Sequence, residues 1–229
     1  MTKPLRGVLF DLDGTLADSA PDLAAALNRV RADEGLAPVD VESLRVYSST
    51  GARGLLLAGM QVSSDHPRYL ALRDAFLVHY TATLADRTRL FEGVEAMLDA
   101  LDARGLAWGI VTNKAARYTE PVTTHLGLAA RAGTIVSGDT TPHPKPHPAP
   151  LLAAAEALAL PPSAFVYVGD DLRDIDAGRA AGMPTLVARW GYLGPGADPD
   201  RWPADGWLDH PRDLVAWLDA RRESRAVGD

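Results

Sequence analysis

Two aspartates, Asp11 and Asp13, stand one residue apart directly after a short apolar run near the start of the chain. A carboxylate in this position can attack phosphorus, and a second carboxylate beside it can move the proton. Two adjacent carboxylates repel each other unless positive charge lies between them, so the pair also predicts a bound cation. A parallel sheet presents its ligand site at the carboxyl ends of its strands, which is where this pair falls.

Three further polar segments follow predicted strands, at residues 111–114, 144–148 and 169–174. The first contains Thr112, whose hydroxyl can donate to a phosphoryl oxygen. The second contains Lys145 between prolines, so that its ammonium would be held in a stiff loop and could neutralise a phosphate. Lys114 competes for that role. The third segment carries Asp170, a hard oxygen ligand suited to Mg²⁺.

Short apolar runs alternate with helical patterns along the chain, which predicts a doubly wound α/β fold with a parallel, Rossmann-like sheet. The predicted strands cover residues 7–10, 107–112, 134–137, 165–168, 185–188 and 206–208. The segment between Asp18 and Arg89 breaks this alternation because it contains helical patterns only. We therefore predict an α/β core of residues 1–17 and 90–229, and an all-helical cap of residues 18–89 that lies above the strand ends.

Two features inside the cap bear on its structure and its role. Ser19 followed by Asp22 predicts a capping box at the start of the first cap helix. The stretch 47–54 interrupts the helical pattern and is interpreted as a substrate loop. Arg53 in this loop is the best cap cation for an acidic or polyol group of a substrate, although a solvated helix arginine explains it equally well.

The composition of the chain excludes several classes of protein. Its 229 residues can bury a substantial core, and the net charge of −7, without a block of Lys or Arg, argues against nucleic acid and anionic membranes as partners. The absence of cysteine excludes thiol catalysis and disulfides. No signal peptide and no long apolar run are evident, so a cytoplasmic enzyme is expected. The oligomeric state is left open.

Four polar segments follow predicted strands: the one with Asp11 and Asp13, and residues 111–114, 144–148 and 169–174. In this order along the chain, they resemble the motifs of the haloacid dehalogenase superfamily. Residues 11–15 have its DxDGT pattern, residues 145–148 its KPxP pattern and residues 169–174 its GDxxxD pattern, with Thr112 in the second motif. The resemblance covers nearly the whole chain. It implies an α/β core with an inserted cap, and a phosphatase that requires Mg²⁺.

The resemblance also implies a role for each motif residue. Asp11 would be the nucleophile and Asp13 the general acid and base, while Thr112, the Asn113 backbone and Lys145 would hold the phosphoryl group. Asp11, the Asp13 carbonyl and Asp170 would bind Mg²⁺. Asp174 and Asp171 would lie next to these ligands without binding the metal directly. Asp174 would orient a metal-bound water or Lys145, and the role of Asp171 is open.

Within this superfamily the chain resembles the phosphoglycolate phosphatase-like branch. Segments 108–114, 168–179, 191–192 and 209–211 resemble N-acetylmuramic acid 6-phosphate phosphatases, although enzymes of the phosphoglycolate type share them. The expected substrate is therefore a small phosphorylated metabolite such as one of these two. A β-phosphoglucomutase-like phosphotransferase is the alternative enzyme, and a phosphate-sensing binding protein is the alternative outside catalysis. The intact set of Asp11, Asp13, Lys145 and Asp170 argues against the binding protein.

Overall fold

A computed structural model describes residues 4–226 of the chain, and a six-stranded parallel sheet forms its centre. The strands are β1 (Gly7–Phe10), β2 (Ala17–Asp18), β3 (Arg89–Leu90), β4 (Ala107–Val111), β5 (Ile135–Val136), β6 (Phe165–Gly169), β7 (Thr185–Ala188) and β8 (Gly206–Leu208). The sheet has the order β5-β4-β1-β6-β7-β8, and every neighbouring pair is parallel. The predicted α/β fold is confirmed.

Helices connect these strands and cover both faces of the sheet. The helices are α1 (Ala20–Asp33), α2 (Val41–Arg45), α3 (Gly51–Met60), α4 (Tyr69–Ala82), α5 (Val94–Ala103), α6 (Ala116–His125), α7 (Ala149–Ala157), α8 (Leu172–Ala180) and α9 (Asp213–Ala226). Within residues 4–226, no helix combines the length and the apolar character that crossing a membrane requires.

The central strand β1 is buried on both faces, which explains its continuous apolar sequence. Because side chains alternate along a strand, Val8 and Phe10 join one apolar cluster with residues of α5 and α9. Leu9 points to the opposite face and joins a second cluster with residues of α7 and α8. The strand is therefore fixed from both sides, and so is the position of the residue that follows it.

The segment 18–89 contains α1 to α4 and packs around an apolar cluster that includes Leu27, Leu55 and Phe76 and extends to Tyr118 of α6. Its two ends carry the short strands β2 and β3, which pair antiparallel where the chain leaves and re-enters the sheet. Two-residue strands have no readable pattern, so the sequence predicted helix alone here. That this segment is a separate cap domain stays a prediction.

The interrupted stretch 47–54 is more regular than a loop. A 3-10 turn at Ser48–Thr50 leads into α3, and Gly51 between them has a φ of 58°, a conformation that favours glycine. Arg53 therefore lies in the first turn of α3.

The Asp22 carboxylate links the start of α1 to residues 87 and 88, where the chain returns towards the sheet. Its buried carboxylate accepts hydrogen bonds from the backbone N–H of Arg87 at 3.0 Å and of Thr88 at 2.9 Å, and from the Thr88 hydroxyl at 2.6 Å. The predicted capping box of Ser19 and Asp22 is wrong, because Ser19 makes no side-chain cap bond and its hydroxyl donates to Asp13 instead.

Replacing Asp22 with Ala is expected to lower the free energy of unfolding by about 3 kcal/mol, because the N–H and hydroxyl of buried Thr88 and the N–H of Arg87 lose their charged acceptor. Urea denaturation measures the loss. The control is Asp33→Ala on the same helix, an exposed carboxylate that contacts His79 and should change stability by less than about 1 kcal/mol. Equal losses in the two variants would contradict the fastening role of Asp22.

Candidate active site

Three adjacent strands bring the motif residues together at one edge of the sheet. Asp11 follows β1, Thr112 follows β4 and Asp170 follows β6, and β1 lies between the other two strands. The loop before α7 adds Lys145. All four side chains are nearly or fully buried.

Lys145 is the buried cation at the centre of this edge. Its Nζ lies 2.9 Å from Asp11 Oδ1 and 2.7 Å from Asp174 Oδ1, and it also donates to the Val111 carbonyl and the Tyr167 hydroxyl. Burial disfavours the charge, but the two carboxylates outweigh burial and raise the pKa of Lys145. The ammonium therefore stays charged beside Asp11.

Asn113 holds the loop that carries this lysine. Its amide nitrogen donates to the Lys145 carbonyl and its amide oxygen accepts from the Lys145 N–H, each at 2.9 Å. Asn113 also lines the cavity described below. The predicted substrate contact through its backbone stays a prediction, while its side chain is occupied by the loop.

Three buried carboxylates, those of Asp11, Asp170 and Asp174, bring oxygen atoms within 4.8 Å of one another. Burial raises the pKa of Asp11 to about 7 although Lys145 opposes the shift, and burial followed by the charges of Asp11 and Asp174 raises the pKa of Asp170 well above its usual range. One ammonium does not balance three carboxylates, so the cluster fits a divalent cation with hard oxygen ligands.

The loop around Gly14 is shaped to fit against Asp170. Gly14 has a φ of 89°, and a Cβ atom there would lie 2.1 Å from an Asp170 oxygen, so no larger residue fits. The Asp170 carboxylate accepts from the Thr15 hydroxyl and the Tyr192 N–H, each at 2.9 Å. These contacts fix the carboxylate beneath the Asp11 loop.

Asp171 and Asp174 bond different partners in the structure. Asp174 bonds Lys145 through one oxygen and accepts from the Asp171 N–H through the other, at 3.0 Å. Asp171 caps α8 and forms an ion pair with Arg173 at 2.7 Å. Burial works against ionisation, but Arg173 outweighs it and lowers the pKa of Asp171. Of the two, Asp174 is the one that belongs to the carboxylate cluster.

Asp13 is held by contacts that the sequence did not indicate. The Ser19 hydroxyl donates to its Oδ1 at 2.5 Å, and Lys114 Nζ lies 3.1 Å from both of its oxygens. Lys114 also lies over the ring of Tyr80 in α4, 5.0 Å from the centroid. Lys114 is thus the counter-ion of Asp13, whereas Lys145 is the counter-ion of Asp11.

A cavity of about 280 Å³ lies between the helical segment 18–89 and the strand ends. The residues that line it are Asp11, Asp13, Leu23, Ser48, Ser49, Thr50, Gly51, Ala52, Phe76, Leu77, Tyr80, Thr112, Asn113, Lys114, Ala115, Tyr118, Lys145, Asp171, Arg173 and Asp174. Arg53 is exposed and is not in this set, so its predicted substrate contact gains no support. Arg173 is in the set, and the sequence analysis overlooked it although it lies inside the fourth motif.

The family model of the haloacid dehalogenase-like hydrolases matches residues 8–188, which include every motif residue of the cavity. The chain belongs to this family. Among its relatives is N-acetylmuramic acid 6-phosphate phosphatase from Pseudomonas aeruginosa, 44% identical over 94% of this chain and 95% of the relative. Phosphoglycolate phosphatase from Xylella fastidiosa is 44% identical over 90% of each chain.

The solved structures agree with this assignment. A predicted phosphoglycolate phosphatase from Haemophilus somnus superposes with a TM-score of 0.81 at 26% identity, covering 94% of this chain and 99% of that one. The prediction of a haloacid dehalogenase-type phosphatase is thereby confirmed for family and reaction class.

Replacing Lys145 with Met is expected to lower the free energy of unfolding by about 3 to 5 kcal/mol in the presence of a chelator, because three buried carboxylates lose their counter-charge. Urea denaturation at slightly alkaline pH measures it. Arg131→Met is the matched control, since its partly exposed ion pairs with Asp99 and Asp102 are each worth at most about 1 kcal/mol. A loss no larger than in the control would show that the cluster does not depend on Lys145.

Proposed function

We propose that this protein is a Mg²⁺-dependent phosphomonoesterase that works through an aspartyl-phosphate at Asp11, on a small phosphorylated metabolite such as phosphoglycolate or N-acetylmuramic acid 6-phosphate. The observation that carries the proposal is the Asp11 carboxylate, held 2.9 Å from a buried Lys145 and open to a cavity that also contains Asp13. Nucleophile, counter-charge and proton carrier thus share one space.

The first step forms a bond between an Asp11 oxygen and phosphorus, while the bond from phosphorus to the leaving alcohol breaks. Asp13 donates its proton to the departing oxygen. In the second step Asp13 takes a proton from water as the water attacks phosphorus, which releases inorganic phosphate and restores Asp11. Lys145 and the Thr112 hydroxyl, both lining the cavity, would stabilise the phosphoryl oxygens.

A metal at this site would draw on Asp11 and Asp170, with the Asp13 carbonyl as the third ligand predicted from the sequence. The structure adds Asp174 as a candidate, since one of its oxygens lies within 4.8 Å of an oxygen of Asp11 and of Asp170. Asp174 already forms an ion pair with Lys145 through one oxygen and accepts from the Asp171 N–H through the other. The donors to Asp170 are uncharged groups, so we favour Asp11 and Asp170 as the direct carboxylate ligands. When bound, Mg²⁺ would offset the charge of nucleophile and phosphate.

The named relatives support the choice of substrates. N-acetylmuramic acid 6-phosphate and phosphoglycolate appear in the names of enzymes with the same identity to this chain, 44%. Both compounds are phosphomonoesters that also carry a carboxylate. A cytoplasmic location and the absence of nucleic-acid and membrane partners stay predictions from composition.

Asp11→Asn should keep the fold and reduce phosphate release by about 1,000-fold or more, because an amide is a poor nucleophile and the covalent route is lost. The measurement is the turnover of p-nitrophenyl phosphate and of both proposed substrates, with circular dichroism as the check of folding. Turnover close to that of the wild type would disprove the role of Asp11.

Removal of divalent cations should abolish activity, and Mg²⁺ should restore it, because the carboxylate cluster then repels the phosphate. Ca²⁺ should inhibit, since its longer and looser coordination would misplace Asp11. Steady-state assays after chelator treatment and titration with each ion measure this. Full activity in chelator would reject the metal site, while leaving the nucleophile to be tested by the Asp11 variant.

A further inference from the structure

Arg173 places a positive charge at the start of α8, in the wall of the cavity. It occupies the first turn of α8, where the helix dipole disfavours positive charge, and its side chain is still about one-third exposed to the cavity. The Asp171 carboxylate offsets this by accepting from its Nε at 2.8 Å and its Nη2 at 2.7 Å. These contacts hold the guanidinium in one orientation at the wall of the cavity.

The same guanidinium contacts the cap segment. Its Nη2 donates to the Ser49 carbonyl at 2.8 Å, in the 3-10 turn that precedes α3. Within residues 4–226 its Nη1 has no hydrogen-bond partner, so two of the five N–H groups of the side chain are left for a ligand.

The other two cations of the cavity are already committed. Lys145 is bound by Asp11 and Asp174, and Lys114 contacts both oxygens of Asp13. The phosphoryl group of a substrate must lie at Asp11, within reach of Lys145. Arg173 is therefore left to meet a second anionic group of the substrate.

We propose that Arg173 is the specificity-determining residue that binds the carboxylate of the substrate through Nη1. This inference rests on the proposed phosphatase function and narrows its substrates to phosphomonoesters with a carboxylate. A charged guanidinium N–H bonds a carboxylate more strongly than it bonds a neutral hydroxyl. Because Nη2 simultaneously bonds Ser49, binding of the carboxylate also stabilises the contact between core and cap turn.

Two pairs of substrates isolate the carboxylate. N-acetylmuramic acid 6-phosphate is compared with N-acetylglucosamine 6-phosphate, which lacks the lactyl carboxylate, and phosphoglycolate with 2-hydroxyethyl phosphate. Arg173→Ala should reduce kcat/KM by about 10- to 150-fold for the carboxylated member that the wild type prefers and have little effect on its partner. Arg173→Lys should recover part of the loss. Arg179→Ala, on the same helix and outside the cavity lining, is the matched control.

A second readout does not require turnover. Calorimetric binding of each compound to Asp11→Asn, with and without Arg173→Ala, should show that the arginine strengthens binding of the carboxylated compound alone. Thermal unfolding of each variant checks folding, and Arg173→Gln replaces the Ala variant if that variant does not fold. Equal losses for both members of a pair would overturn the inference and make Arg173 a purely structural contact to Ser49. A selective loss in Arg53→Ala, with none in Arg173→Ala, would overturn it in favour of the cap arginine.

The outcome for Arg173 is separable from that of the proposed function. If the wild type hydrolyses p-nitrophenyl phosphate and both members of each pair with equal efficiency, the phosphatase stands and the carboxylate site is rejected. If the wild type with Mg²⁺ hydrolyses none of these esters, the proposed function fails. In that case selective binding of the carboxylated compound to Asp11→Asn would still support the Arg173 site, and its absence would reject that site as well.

Discussion

The ammonium of Lys145 between Asp11 and Asp174 is the interaction on which the rest of the site depends. Without it, three carboxylates would meet in the interior of the protein with no positive charge among them. The loop of Lys145 is held by Asn113 from the neighbouring strand end, and the lysine itself reaches the Val111 carbonyl. The position of Asp11 is therefore set by strand order, by the loop and by charge balance together.

The carboxylates of Asp11, Asp170 and Asp174 outnumber the one ammonium that lies among them. Burial, and then the neighbouring carboxylates, raise the pKa values of Asp11 and Asp170 although Lys145 is close to Asp11. A bound cation would supply the positive charge that the proposed function requires here. Asp13 has partners of its own, Lys114 and Ser19. In the proposed mechanism it moves a proton while Asp11 is bound to phosphorus.

Patterns that act over short distances predicted the core of the site well. Apolar runs located the strands, and the carboxyl ends of those strands located Asp11, Thr112 and Asp170 on one edge. The partners of individual side chains were not predictable. Lys114 bonds Asp13, which lies 101 positions away in the sequence. Asp22 bonds Thr88, 66 positions away, instead of forming the local capping box that its spacing from Ser19 suggested.

The side of the cavity formed by the helical segment 18–89 was the least predictable part. Arg53 follows a glycine-marked break in the helical pattern, but the helical phase of α3 leaves it exposed and outside the cavity lining. Arg173 lies inside a core motif and reaches the cap through Ser49, a contact that only the three-dimensional packing of α8 against the 3-10 turn creates. One sequence contains no local signal for such a pairing.

The central claim, that Asp11 carries the phosphoryl group, is tested most directly by trapping it. The Asp13→Asn variant should hydrolyse the intermediate slowly, so a single turnover with ³²P-labelled p-nitrophenyl phosphate and Mg²⁺, quenched in acid, should leave label on the protein. Peptide mapping should place the label on Asp11, and hydroxylamine should release it as expected of an acyl phosphate. Release of p-nitrophenol without covalent label, or label on another residue, would contradict the assignment.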